Sequence, residues 1–110
     1  MINIKIKCVD SLYSYLEMSG HANYAESGYD IVCSGVTSAT FTSINLIDKL
    51  DHNCYDLEVK DAQGFLHLDI KYDKVSDENK KMITLIMKNL IDMYEEIKSN
   101  YPKNLKINLL

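Results

Sequence analysis

The feature that most constrains this chain is the order in which its hydrophobic periodicities change. Ile2, Ile4, Ile6 and Cys8 alternate with Asn3, Lys5 and Lys7, the period of a strand with one buried face. A second alternating run covers 12–19, with Leu12, Ser14, Leu16 and Met18 on one side and Tyr13, Tyr15 and Glu17 on the other. Only Asp10-Ser11 separates the two runs, so they predict a hairpin. Period 2 then gives way to a helical spacing over 31–50, with Val36, Thr40, Ile44, Ile47 and Leu50 along one side.

The same sequence of periods recurs. Tyr55, Leu57 and Val59 alternate in a strand over 54–60, "DAQG" turns the chain, and a return strand sets Leu66, Leu68, Ile70 and Tyr72 inward. Gly64 suits a left-handed position in that turn. Ser76 reads as an N-cap, with Asp77 and Glu78 where the helix dipole favours negative charge. The helix it opens carries Ile83, Ile86, Leu90, Met93 and Ile97 on one face and stops before Pro102. Leu105, Ile107 and Leu109 alternate in a last strand. The order is β-β-α-β-β-α-β, an α+β fold with one sheet packed by two helices. With 110 residues and no linker or low-complexity stretch, residues 1–110 read as a single domain.

Charge narrows the function. Acidic residues outnumber basic ones 16 to 12, and all the basic residues are lysines. Without arginine forks or a positive balance, a primary role in binding nucleic acid is disfavoured. No stretch approaches the ~18 apolar residues that suggest a membrane span. The first ten residues alternate rather than forming an apolar signal, so a cytoplasmic location is expected. Three cysteines, Cys8, Cys33 and Cys54, cannot all pair, which fits a reducing compartment.

One segment does not fit a purely structural role. "GHANYAESGYDIVC", residues 20–33, contains two of the four glycines, one histidine and one cysteine. Asp30 occupies an N-cap position at the loop–helix boundary, which puts Cys33 in the first turn near unpaired backbone N–H groups. Helix N-termini and neighbouring imidazolium groups lower a thiol pKa from about 8.5 to about 3.5–7.5, turning the thiol into a nucleophile near neutral pH. His21 can fold back to stabilise the thiolate and later protonate a leaving amine. Gly20 and Gly28 supply hinges at the segment's ends. Each residue also has a bland reading: a helix-start cysteine is more often a small buried hydrophobe, a loop histidine solvated, and an aspartate only a cap. The helix that follows opens with "SGVTSATFTS", whose Ser, Thr and Gly are poor helix formers but permit close packing.

The wording of the segment decides between them. Gly20-His21-Ala22, Tyr24-Ala25 and Gly28-Tyr29-Asp30-Ile31-Val32-Cys33 resemble the signature of the ribosomal-processing cysteine protease (Prp) family. The layout of hairpins, helices and the closing "NYPKNLKI" is similar to that family along essentially the whole chain. The resemblance implies a cysteine endopeptidase with Cys33 as nucleophile and His21 as general base and acid. It makes Asp30 an orienting or helix-start residue and Gly20 the glycine that frees the histidine loop. Tyr24 and Gly28 are expected to bind the substrate. The family's members are homodimers that remove an N-terminal extension from a large-subunit ribosomal protein, cutting after an aromatic pair. No cofactor and no metal is implied. This chain has "SGVTS" where the family more often has "AAVSA", so Ser34 and Gly35 alter local packing and Thr37 keeps a hydroxyl. The rival expectation is a non-catalytic ribosome-assembly or structural dimer of the same fold.

Elsewhere the readings are structural. Cys8 lies on the Ile2/Ile4/Ile6 side of its strand and is expected in the core. His52 and Cys54 could face one way like metal ligands, but lack the paired spacing of a zinc site. His67 falls on a polar strand face and is expected to be solvated. Tyr13, Tyr15 and Tyr24 are candidates to line a groove for aromatic substrate side chains.

Overall fold

The computed structural model of the chain describes residues 1–20, 29–60 and 64–110, with Tyr29 and Asp30 described by their backbone alone. Strands β1 (Ile2–Val9) and β2 (Leu12–Ser19) form the expected hairpin. Asp10 and Ser11 both take positive φ, 52° and 66°, the pair of left-handed residues a two-residue turn between twisted strands requires. Helix α1 (Tyr29–Leu50) follows, then β3 (Tyr55–Lys60) and β4 (Phe65–Ile70). A 3-10 turn at Tyr72–Lys74 leads to α2 (Asp77–Asn100), and β5 (Leu105–Leu109) ends the fold.

The five strands lie in the order β3-β4-β2-β1-β5. All neighbours are antiparallel except β1 and β5, which run parallel because α2 carries the chain back across the sheet. Register lines up one buried row: Ile6 faces Leu16, and Leu16 faces Leu68. Those three residues, with Ile4, Val36, Ile47, Ile83 and Leu90, are 0–1% exposed and join sheet and helices in one core. The opposite sheet face carries Lys5, Glu17, His67 and Glu58 in adjacent register, with ion pairs Lys5–Glu17 and His67–Glu58 at 3.7 and 3.0 Å.

Helix α2 begins as its sequence dictates, with the Ser76 hydroxyl accepting from the Asn79 amide at 3.2 Å. Its buried face departs from the expected stripe: Met87 and Tyr94 join Ile83, Ile86 and Leu90 in the core, while Ile97 is only half-buried. Met93 is 43% exposed and Tyr94 is fully buried in its place. Both stand one helical turn from Leu90, and Tyr94 takes the inward place because its hydroxyl meets Thr40 of α1 there, at 2.5 Å. Cys8 is a second correction. It is exposed rather than in the core, because it lies past a register shift between Lys7 and Cys8, at the strand end where Val9 is exposed too. Tyr72 sits in the 3-10 turn rather than on β4, half-buried, and donates to the Tyr13 carbonyl at 2.6 Å.

Candidate active site

Helix α1 starts at Tyr29, two residues before the expected boundary. Asp30 is therefore the second helical residue and not the cap, and Cys33 is the fifth, at the start of the second turn and not in the first. The physical consequence is limited, because helical side chains lean toward the N-terminus. A side chain at position 33 thus covers the turn before it, whose amides lack helical partners. Asp30 still places an acidic residue type in that turn, at the favourable end of the dipole.

Cys33 is half-buried and lines a cleft of about 200 Å³. Thr37 and Phe41 line it with Cys33, spaced four and eight residues along one face of α1. The end of β2 contributes Met18, Gly20 follows directly after the strand, and the segments flanking the β3–β4 turn contribute Val59 and Phe65. Ile2 and Leu66 complete the apolar lining. The fold thus sets the Cys33 thiol, with the hydroxyl-bearing Thr37 and Ser19, against walls that favour an apolar side chain. Backbone crowding fixes Gly20 here. A Cβ at that position would fall 2.8 Å from the Met1 carbonyl oxygen and 3.0 Å from the Ile2 Cα, so only glycine fits against the start of β1.

Of the residues singled out in the sequence, the cleft brings together Gly20, Cys33 and Thr37. His21, Tyr24 and Gly28 lie outside the described residues. Tyr15 does not belong to the cleft. It lies on the solvent face of the sheet, stacked on His67 with ring centroids 6.0 Å apart, and its hydroxyl donates to Glu17 at 2.9 Å. Partial burial and that carboxylate push its pKa up to about 12. Tyr13 packs against the core rather than the cleft. Phe41, Met18, Val59 and Phe65 were not anticipated. Phe41 alone carried a sequence signal, since it repeats the Cys33–Thr37 spacing.

The other thiols and imidazoles are placed differently. Cys54 is fully buried, and that burial, followed by the Asp51 charge, raises its thiol pKa. His52 is exposed and pairs with Asp48 at 3.6 Å. His67 is half-buried, with Nε2 3.0 Å from Glu58 and Nδ1 3.7 Å from Asp69. Among the described residues, no three histidine, cysteine or acidic side chains gather as a metal site would need. No described helix is long and apolar enough to cross a membrane.

The comparison with known proteins extends over nearly the whole chain. The family model described as cysteine protease Prp matches residues 1–106. This chain belongs to the Prp family of cysteine proteases. It is 31% identical over 91 residues to the ribosomal processing cysteine protease Prp of Bacillus subtilis, covering 83% of this chain and 80% of that one. The Staphylococcus aureus protein of the same name is equally similar, with 81% of its length covered. The fold superposes on the crystal structure of the S. aureus essential ribosomal processing protease Prp in complex with a substrate peptide, with TM-score 0.85, 28% identity and full coverage of both chains. A second structure of that protease, with a covalently linked product peptide, gives TM-score 0.80 at 27% identity, again covering both chains fully. The α+β architecture read from the sequence is the architecture of this family.

Proposed function

We propose that this protease removes the N-terminal extension of a large-subunit ribosomal protein, cutting after an aromatic residue with a Cys33–His21 dyad. The observation that carries this reading is the position of Cys33, half-buried on the wall of an apolar cleft at the N-terminal end of α1. The relatives add support, since the S. aureus protease has been captured with a substrate peptide and with a covalently linked product peptide. In the reaction, His21 takes the thiol proton and the Cys33 sulfur attacks the scissile carbonyl carbon. The tetrahedral intermediate collapses, the C–N bond breaks, and His21 returns the proton to the leaving amine. Water, deprotonated by the same imidazole, then releases the acyl group from sulfur. Asp30 supports the helix start or the imidazole, and Thr37 sets its hydroxyl beside the nucleophile. Tyr24 and Gly28 contribute to substrate binding. The cytoplasm is where such a precursor and a free thiol coexist.

The protein works as a homodimer in this reading. Gly35, Ser38, Ala39 and Thr42 leave a shallow line of small residues on α1, while Leu85 and Met93 project from α2 beside it, 66% and 43% exposed. A two-fold axis between copies seats the projecting side chains of each on the small residues of the other. The decisive experiment is digestion of the extended precursor followed by mass spectrometry. Wild-type protein should give one cut after an aromatic residue, and Cys33→Ala should bind the precursor without cutting it. An uncut precursor with the thiol intact sinks the assignment, and cutting by Cys33→Ala sinks the nucleophile.

A further inference from the structure

Gly20 and Gly64 both line the cleft, one just after β2 and the other just before β4. The Gly20 amide donates to the Gly64 carbonyl at 3.0 Å, continuing by one step the β2–β4 register that pairs Ser19 with Phe65. Gly64 has φ 59°, a left-handed conformation that disfavours most L side chains. Gly20 is held from its other side, where the Met1 carbonyl and the Ile2 Cα leave no room for a Cβ. Three backbone segments therefore meet at Gly20, and the next residue in the chain is His21.

We propose that Gly64 is a positioning residue of this protease. Its left-handed backbone holds the carbonyl that pins Gly20, and through Gly20 it sets the point and direction from which the chain leaves for His21. Gly20 is thus an anchor shared by two walls of the cleft, and any hinge for the histidine begins after it. Alanine at position 64 favours negative φ, and relaxing there turns the carbonyl away from the Gly20 amide. Asparagine tolerates the left-handed region and preserves the bond. The inference deepens the dyad reading and rests on it.

The test measures the rate of Cys33 alkylation by iodoacetamide against pH, in a Cys8→Ser background so that the exposed Cys8 thiol does not compete. Melting temperatures are recorded for every variant, and rates are compared well below the lowest. His21→Ala and Gly64→Ala should each slow alkylation near pH 7 about tenfold, the change expected when a thiolate loses its imidazolium partner. His21→Ala/Gly64→Ala should be no slower than His21→Ala alone, and Gly64→Asn should recover most of the parent rate. The positioning role is overturned if Gly64→Ala reacts like the parent while His21→Ala is slow. It is equally overturned if the two effects multiply, or if Gly64→Asn melts like the parent yet reacts slowly. An unaffected rate in His21→Ala defeats the dyad reading itself, and the positioning role with it.

Discussion

Thr40 and Tyr94 meet at 2.5 Å, hydroxyl to hydroxyl, in the interior between the two helices, and both residues are fully buried. Thr40 also donates to the Val36 carbonyl at 2.7 Å, so Tyr94 donates to Thr40 and the chain of bonds ends on backbone. Burial is the larger influence on the Tyr94 hydroxyl and raises its pKa. The two partners are therefore not equivalent. Tyr94→Phe leaves Thr40 satisfied by Val36 and should cost about 0.5–1.5 kcal/mol, a net hydrogen bond. Thr40→Val strands the Tyr94 hydroxyl in apolar surroundings and should cost about 1–3 kcal/mol. Urea unfolding of both variants checks the order, and a costlier Tyr94→Phe would contradict the donor assignment.

The three thiols should separate by reactivity. Cys54 is buried with a raised pKa, so iodoacetamide should reach it only on unfolding. Cys8 is exposed, so it and not Cys54 is the competitor for Cys33. Near pH 7, peptide mapping of the alkylated protein should find Cys33 modified first, Cys8 more slowly and Cys54 last. Cys8 outpacing Cys33 would count against an activated nucleophile.

Much of this architecture is legible because its causes are local. Two adjacent turn residues fixed the first hairpin, and Ser76 followed by Asp77 and Glu78 fixed the start of α2, each through neighbours in the chain. Periodicity failed where a choice depended on a distant partner. Met93 and Tyr94 are both one turn from Leu90, and only Thr40, 54 residues away, selects Tyr94. Cys8 kept the strand's period but passed the bulge that ends its buried run. The site shows the same division. Cys33 and Thr37 could be read from a contiguous motif, whereas Met18, Val59 and Phe65 reach the cleft from separate strands. Tyrosines were expected there by residue type alone, and strand register sends Tyr15 to the other face.

A pH-dependent contact joins α1 to β3. Tyr55 donates to Asp48 at 2.7 Å, and this bond is the largest influence holding the Asp48 carboxyl below the usual carboxylate range. The same bond, with burial, pushes the Tyr55 hydroxyl up to about 12. A carboxylate depressed in the folded state contributes stability above its unfolded value of about 3.9, and that contribution disappears as pH falls through the folded value. A phenol raised in the folded state contributes below about 10 and loses that contribution as pH rises through its folded value. The stability gap between wild type and Tyr55→Phe should therefore be widest from about pH 5 to about pH 10, narrowing on both sides. Chemical denaturation across pH reads this directly, and a gap unchanged at about pH 2 would refute it.

Two aromatic residues on opposite faces of the sheet should respond oppositely in turnover. Phe41 lines the cleft eight residues along α1 from Cys33, on the same helical face, where a substrate ring can pack against it. The cleft, about 200 Å³, is slightly larger than the 150 Å³ apolar cavity known to take benzene, so it has room for one ring. Phe41→Ala removes one wall and should raise KM for an aromatic-containing precursor peptide more than it lowers kcat, because the lost contact is made before and during the reaction alike. Tyr15→Phe changes only the solvent face, where the hydroxyl meets Glu17, and should leave both constants as they are. Steady-state kinetics on one peptide series decides the matter. If Tyr15→Phe impairs cleavage and Phe41→Ala does not, the substrate lies on the other face of the sheet and this cleft is not its binding site.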